Sequence, residues 1–230
     1  MVSSLVAYLN YIRLFAIIQR RNLNDKDNMI ILDEIKQEEN YSHSMFVIYP
    51  RTIQISHGVY DNVVDMHNMC MMISQNLDTT ELTNVYGGKT PWRFFNDKPE
   101  FTRFIDYVVQ KHQNSNPFFN RNNWYDKKMS YDSWGNEIKK GDSVAMHTHK
   151  DHHLILYLTV GAPLILPELK MTIHPKKGHY YIFPPHVLHG VGKVEEETKT
   201  RYCLVSNLIE QTDWKTKKVI KDISDAREKK

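Results

Sequence analysis

An all-β core with added α-helices is the fold class the sequence predicts, on three observations. From about Trp124 to Leu208, short runs of β-branched and aromatic residues alternate with glycine and proline turns. Two stretches ahead of that region carry apolar residues at helical spacing instead. The chain is 230 residues long, which suits one large domain with extensions and can bury a core without disulfide staples. Many short strands at this spacing build a sandwich or a barrel.

Taken in order, residues 5–18 are rich in apolar side chains. Asn10 and Arg13 interrupt them and Arg20-Arg21 follow them, so they read as an amphipathic helix packed on the fold rather than a signal or a membrane span. Residues 22–40 are polar, without a sustained period, and read as a linker or exposed helix. Residues 45–55 (MFVIYPRTIQI) have strand composition, with Pro50 marking an edge or bend. Residues 59–77 place Val63, Val64, Met66, Met69, Cys70 and Ile73 at helical spacings, and residues 101–112 do the same with Phe101, Phe104, Ile105, Val108 and Val109. Pro99 and Glu100 suit the first turn of that second helix. Strands are expected near 130–138, 143–149, 153–160, 163–166, 169–174, 179–183 and 200–208. Turns fall at 140–142, 161–163, 175–178 and 190–192. Residues 211–230 read as a charged tail. The expected division is an N-terminal extension over 1–60, the β domain with its flanking helices over 61–210, and the tail.

Composition narrows function mostly by exclusion. Lys+Arg 30 against Asp+Glu 27 leaves a net charge of +3, too little for a strong nucleic-acid signal or a polybasic membrane binder. Two distant cysteines, Cys70 and Cys203, exclude a disulfide framework and a cysteine-based zinc site. The chain is expected in the cytoplasm, with no transmembrane segment. Eight of its twelve histidines lie from His147 to His189.

In a strand over 143–149, alternate residues share a face, so Ser143, Ala145, His147 and His149 point one way. Small residues leading to two imidazoles make an interior wall with room for a ligand at its end. Two such histidines reach one metal ion, and imidazole suits iron, zinc, nickel and copper. The stretch 178–191 (GHYYIFPPHVLHGV) sets His189 at the end of another strand, where it can complete a three-ligand set with open positions for substrate and oxygen. Arg201 lies twelve residues beyond His189 in a largely apolar strand. An inward-facing guanidinium there needs an anion, and a carboxylate matches its fork. Gly87-Gly88-Lys89-Thr90 lacks the first glycine and the helix of a phosphate loop, and no glycine-flanked serine supports a hydrolase triad with Asp151, His152 or His153.

These elements together resemble the 2-oxoglutarate- and iron(II)-dependent oxygenases, and more narrowly a subgroup common in marine phages and bacteria. The matching residues are Trp134, Gly141, His147-Thr148-His149, Tyr157, Gly178, Phe183-Pro184, His189-Gly190-Val191, Arg201 and Asn207, with 83–92 (TNVYGGKTPW) similar to the segment ahead of the subgroup's helix. The resemblance spans about 83–208. It implies a double-stranded β-helix, or jelly roll, of about eight strands with N-terminal helices packed on one sheet. It implies an oxidoreductase holding Fe(II) on His147, His149 and His189, and a 2-oxoglutarate co-substrate chelating the metal with its far carboxylate on Arg201. Tyr157 and Tyr202 would be secondary contacts, and the reaction would hydroxylate or oxidise a C–H bond. Two positions depart from the pattern. The family's acid two residues after the first histidine is His149 here, with Asp151 as the alternative ligand, and Leu154-Ile155-Leu156 replaces a small-residue motif. The competing readings are a cupin-type metal enzyme without 2-oxoglutarate and a non-catalytic jelly-roll binding protein. Primary substrate and oligomeric state are left open.

Overall fold

The computed structural model describes residues 29–40, 45–78, 83–119, 129–195 and 199–210. The expectations for residues 5–18 and 211–230 lie outside the described residues. The elements run β1 (Met29–Asn40), β2 (Met45–Val59), α1 (Val63–Gln75), β3 (Val85–Tyr86), β4 (Gly88–Lys89), α2 (Pro99–His112), β5 (Met129–Ile138), β6 (Ser143–His147), β7 (His152–Tyr157), β8 (Leu164–Leu166), β9 (Met171–Ile173), β10 (His179–Phe183), β11 (His189–Val191) and β12 (Arg201–Glu210). They form a seven-stranded sheet in the order β1-β2-β10-β7-β12-β5-β4 and a five-stranded sheet in the order β3-β6-β11-β8-β9. Every pairing is antiparallel. The strands β5 to β12 contribute four to each sheet, the jelly-roll pattern, and the earlier strands extend both edges.

The period-2 rule explains how the larger sheet is filled on both sides. Along β7, Ile155 and Tyr157 face the smaller sheet while Leu154 and Leu156 face the helices, so the run HHLILY is buried almost throughout. On β12, Cys203 and Val205 join the inter-sheet core and Leu204 and Leu208 join the helical one. The helical layer closes on that outer face through Met66, Met69 and Ile73 of α1 and Phe101, Phe104, Ile105, Val108 and Val109 of α2. Asn62 caps α1, its side-chain oxygen accepting the Asp65 N–H at 3.1 Å. Pro99 opens α2, and Lys111 lies in its last turn, in keeping with the helix dipole. Val63 and Val64, expected on the packed face of α1, are exposed. Among the described residues no helix is long and apolar enough to cross a membrane.

Several expectations need correction. Residues 29–40, read as linker or exposed helix, are strand β1, because pairing along its whole length with residues 45–56 of β2 supplies what local periodicity lacks. Pro50 lies in β2 opposite Ile35, ahead of the stretch where β10 takes up the other edge at Ser56. That pairing of Ser56–Val59 also brings the chain into the larger sheet before residue 60. Gly190 and Val191, read as a turn, belong to β11.

His112 is wholly buried at the end of α2, its Nε2 2.9 Å from the Tyr180 hydroxyl. Burial, with smaller contributions from the charges of His57 and Lys111, pushes its pKa down to about 4. The unfolded chain takes up a proton near pH 6.5 that the folded chain refuses, so stability from this residue is full above about 6.5 and falls as pH drops towards 4. Between pH 7 and 4.5 the loss is expected to reach about 2–3 kcal/mol. Urea titrations of wild type and His112→Phe at both pH values measure it as the difference between the two pH dependences. Equal dependence in the two proteins would refute it.

Candidate metal centre

The strand β6 carries one residue more than its partner between two matched pairs. His189 stands opposite His147 and Val191 opposite Val144, so two steps on β11 face three on β6. This bulge corrects the expected alternation. Val144 is buried in the inter-sheet core and Met146 is exposed, whereas Ser143 and Ala145 are only half-buried. Without the extra residue, Val144 and His147 would lie on opposite faces; with it, both turn inward. His149 is not on the strand at all. It sits in the turn between β6 and β7, its carbonyl accepting the His186 N–H at 2.8 Å.

The result is a cluster in which one ligating atom from each of His147, His149 and His189 lies within 4.8 Å of the others. His147 Nδ1–H donates to the Ala145 carbonyl at 2.7 Å and His189 Nδ1–H to the Val187 carbonyl at 2.9 Å. A carbonyl only accepts, so both rings carry their proton on Nδ1 and present the Nε2 lone pair. The Nε2 atoms of His147 and His149 are 3.1 Å apart. That is a hydrogen-bond distance, and it also matches the spacing of about 3.0 Å between two ligands about 2.1 Å from one ion and at right angles, so the pair could hold a metal. Burial pushes the pKa of His149 down to about 3 and that of His189 to about 4, and it lowers His147 as well; neighbouring imidazoles add to the first two. All three are therefore neutral at pH 7, the state that ligates. Asp151, the acidic alternative, contributes no atom to the cluster.

The three histidines stand at one end of a cavity whose lining also includes Trp134, Asn136, Ile155, Arg201 and Cys203. Arg201 is 3% exposed. Its Nη1 donates to the Ala162 carbonyl at 2.8 Å, its Cζ lies 5.8 Å from the Tyr157 ring centre, and its Nε has no partner. Gly161 makes room for it: a Cβ there would fall 2.6 Å from the Arg201 Cβ and 2.8 Å from the Lys199 carbonyl. Trp134 Nε1, Asn136 Oδ1 and the Tyr157 hydroxyl are also buried without a partner. Orphaned polar atoms are rare in protein interiors, and three of these four belong to residues that line one cavity. Tyr157 thus stands beside Arg201, its hydroxyl held protonated by burial. Tyr202 does not join it: it packs with the helical core, and its hydroxyl donates to Glu137 at 2.6 Å.

Two residues of this site escaped the sequence reading. Asn136 carried no signal. His153 is fully buried against the cluster, its ring 3.7 Å from that of His149 at 12°. Its Nδ1 is 3.1 Å from Asn207 Oδ1, and the two residues are matched across β7 and β12. The signal for it was its place on the inward face of β7, two residues before Ile155 and four before Tyr157.

No family model matches the chain, and no curated protein matches it. Among solved structures, it is similar to a viral collagen prolyl hydroxylase from Paramecium Bursaria Chlorella virus-1, in complex with 2OG, with a TM-score of 0.51 and 15% identity over 67% of this chain and 94% of that one. It is similar to a Pseudomonas putida prolyl-4-hydroxylase with the same TM-score and 11% identity, over 69% and 93%. Identities this low speak for the fold. With four strands of the double-stranded core in each sheet and both helices outside the larger one, the chain is a jelly-roll protein built on the double-stranded β-helix frame that these prolyl hydroxylases share.

Proposed function

We propose that this chain is a 2-oxoglutarate- and iron(II)-dependent dioxygenase that hydroxylates, or otherwise oxidises, a C–H bond of its primary substrate. One observation carries the reading: three neutral imidazoles converge at one end of a cavity that also holds a buried arginine with an unpartnered N–H. The donor set suits iron(II), and the orphaned donors suit a dicarboxylate. The viral prolyl hydroxylase that shares the fold was solved with 2OG. Iron(II) and 2-oxoglutarate, when bound, supply the activation of oxygen.

The chain's own part is orientation and exclusion. The Ala145 and Val187 carbonyls fix which nitrogen of His147 and His189 is free to ligate. Arg201 would hold the far carboxylate of 2-oxoglutarate through its unpartnered Nε, while the Ala162 carbonyl holds Nη1 and sets the plane of the fork. The Tyr157 ring supports that guanidinium. Val144, Ile155, Leu164, Val191 and Val205 line the cavity and keep water from the reacting groups.

Anaerobic addition of iron(II) followed by 2-oxoglutarate is expected to develop a visible charge-transfer band that neither gives alone. No band, together with no heat of 2-oxoglutarate binding in calorimetry, overturns the proposal. The all-imidazole ligand set favours one second reading, a metal enzyme that works without 2-oxoglutarate. Metal binding with no 2-oxoglutarate binding would select it.

A further inference from the structure

The three histidine rings of this cluster are not all oriented by the same means. His147 and His189 each have Nδ1 tied to a backbone carbonyl. His149 does not: among the described residues its Nδ1 has no hydrogen-bond partner, and it sits on a turn where no strand sets its direction. What its ring does meet is His153. The two rings lie 3.7 Å apart, centre to centre, and 12° from parallel. His189 lies on a nearly parallel plane as well, with its ring centre 5.3 Å from His149 and 5.1 Å from His153.

His153 is itself immobilised. It is 3% exposed, sits in the middle of the larger sheet between β10 and β12, and is bonded through Nδ1 to Asn207. A flat ring held on a rigid strand is a template for another flat ring laid against it. We propose that His153 is the positioning residue for His149: its stacked imidazole fixes the plane in which His149 offers Nε2, the task that a backbone carbonyl performs for the other two ligands. His153 lies outside the ligating cluster. The inference rests on the metal-site reading above, and it explains how a loop imidazole holds a ligand position with no hydrogen bond at Nδ1 to steer it from behind, its one polar contact being Nε2 with His147.

Two substitutions separate the ring from its hydrogen bond. His153→Phe keeps the flat face and loses the bond to Asn207. His153→Gln keeps a donor for Asn207 and loses the flat face. Cobalt(II) titration followed by visible absorption is the measurement, with thermal melting of the metal-free proteins alongside. The expected result is cobalt affinity within about threefold of wild type for His153→Phe and about tenfold weaker for His153→Gln, with an altered cobalt spectrum only in the latter. Asn207→Ala, which frees His153 without changing its ring, is expected to weaken cobalt binding by a smaller factor.

Wild-type affinity and spectrum in His153→Gln would overturn the proposal while leaving the metal site standing. Equal loss in the Phe and Gln variants would overturn it too, since the hydrogen bond and not the stack would then matter. Absence of cobalt binding in wild type would overturn the metal reading and this inference with it. Should either variant melt too low to titrate, the Asn207→Ala spectrum decides: one unchanged from wild type counts against the proposal.

Discussion

Replacing His189 with alanine is expected to weaken metal binding about a hundredfold or more. His189 is the candidate ligand from the second strand, directly opposite His147, and without it the other two donors come from one strand end and its following turn. Tight structural zinc sites with four ligands bind with about 10–16 kcal/mol, so one ligand of such a set accounts for about 3 kcal/mol, a hundredfold or more in affinity. The measurement is thermal or urea unfolding with and without metal. Metal at a hundred times its dissociation constant stabilises a folded protein by about 2.7 kcal/mol, and in His189→Ala that increment should fall to about 0.4 kcal/mol or less. The metal-free variant also loses a buried ring, which lowers its own baseline, so the quantity to compare is the increment and not the melting point. An undiminished increment in the variant would remove His189 from the centre.

The second large effect concerns the other end of the cavity. Arg201→Lys keeps a positive charge and removes the fork. Lysine can reach neither the Ala162 carbonyl nor an anion with the geometry that Nη1 and Nε share. The expected result is a loss of about 1–3 kcal/mol in 2-oxoglutarate binding by calorimetry, with metal affinity nearly unchanged. Because Arg201 is wholly buried, the shorter ammonium is also costly to leave without partners, which places the effect towards the upper end. Equal 2-oxoglutarate affinity in the two proteins, or none in either, removes Arg201 from the co-substrate and turns the reading towards a metal enzyme of cupin type.

How far the sequence foretold this arrangement depends on whether local pattern or distant pairing decided each element. The helices were legible because their buried residues recur every three or four positions, as Phe101, Phe104, Ile105 and Val108 do. The run at β7 was legible because only a strand covered on both faces uses so many consecutive apolar residues. The polar stretch that became β1 was not, since pairing with β2 makes it a strand and its own composition says nothing of pairing. Nor was Tyr202, which sits next to Arg201 but on the opposite face and so meets the helices. His147 and Arg201 were found by chemistry and spacing, yet the stated reason for His147 was an unbroken alternation that the bulge interrupts. His153 and Asn207 meet only when two strands far apart in the chain come into register, and no window of sequence contains both.

That bulge carries a lesson about what a motif encodes. Delete one residue between Val144 and His147, and the letters His-x-His survive while the first imidazole swings away from its partners. The information that turns this pair of histidines towards one point is therefore a length, stored in the distance back to the turn at Gly141, and not in the histidines themselves. Descent with insertion or deletion in that short segment is a quieter way to silence such a site than mutating any of its histidines, and a pattern search over residue types alone would pass the silenced copy as intact.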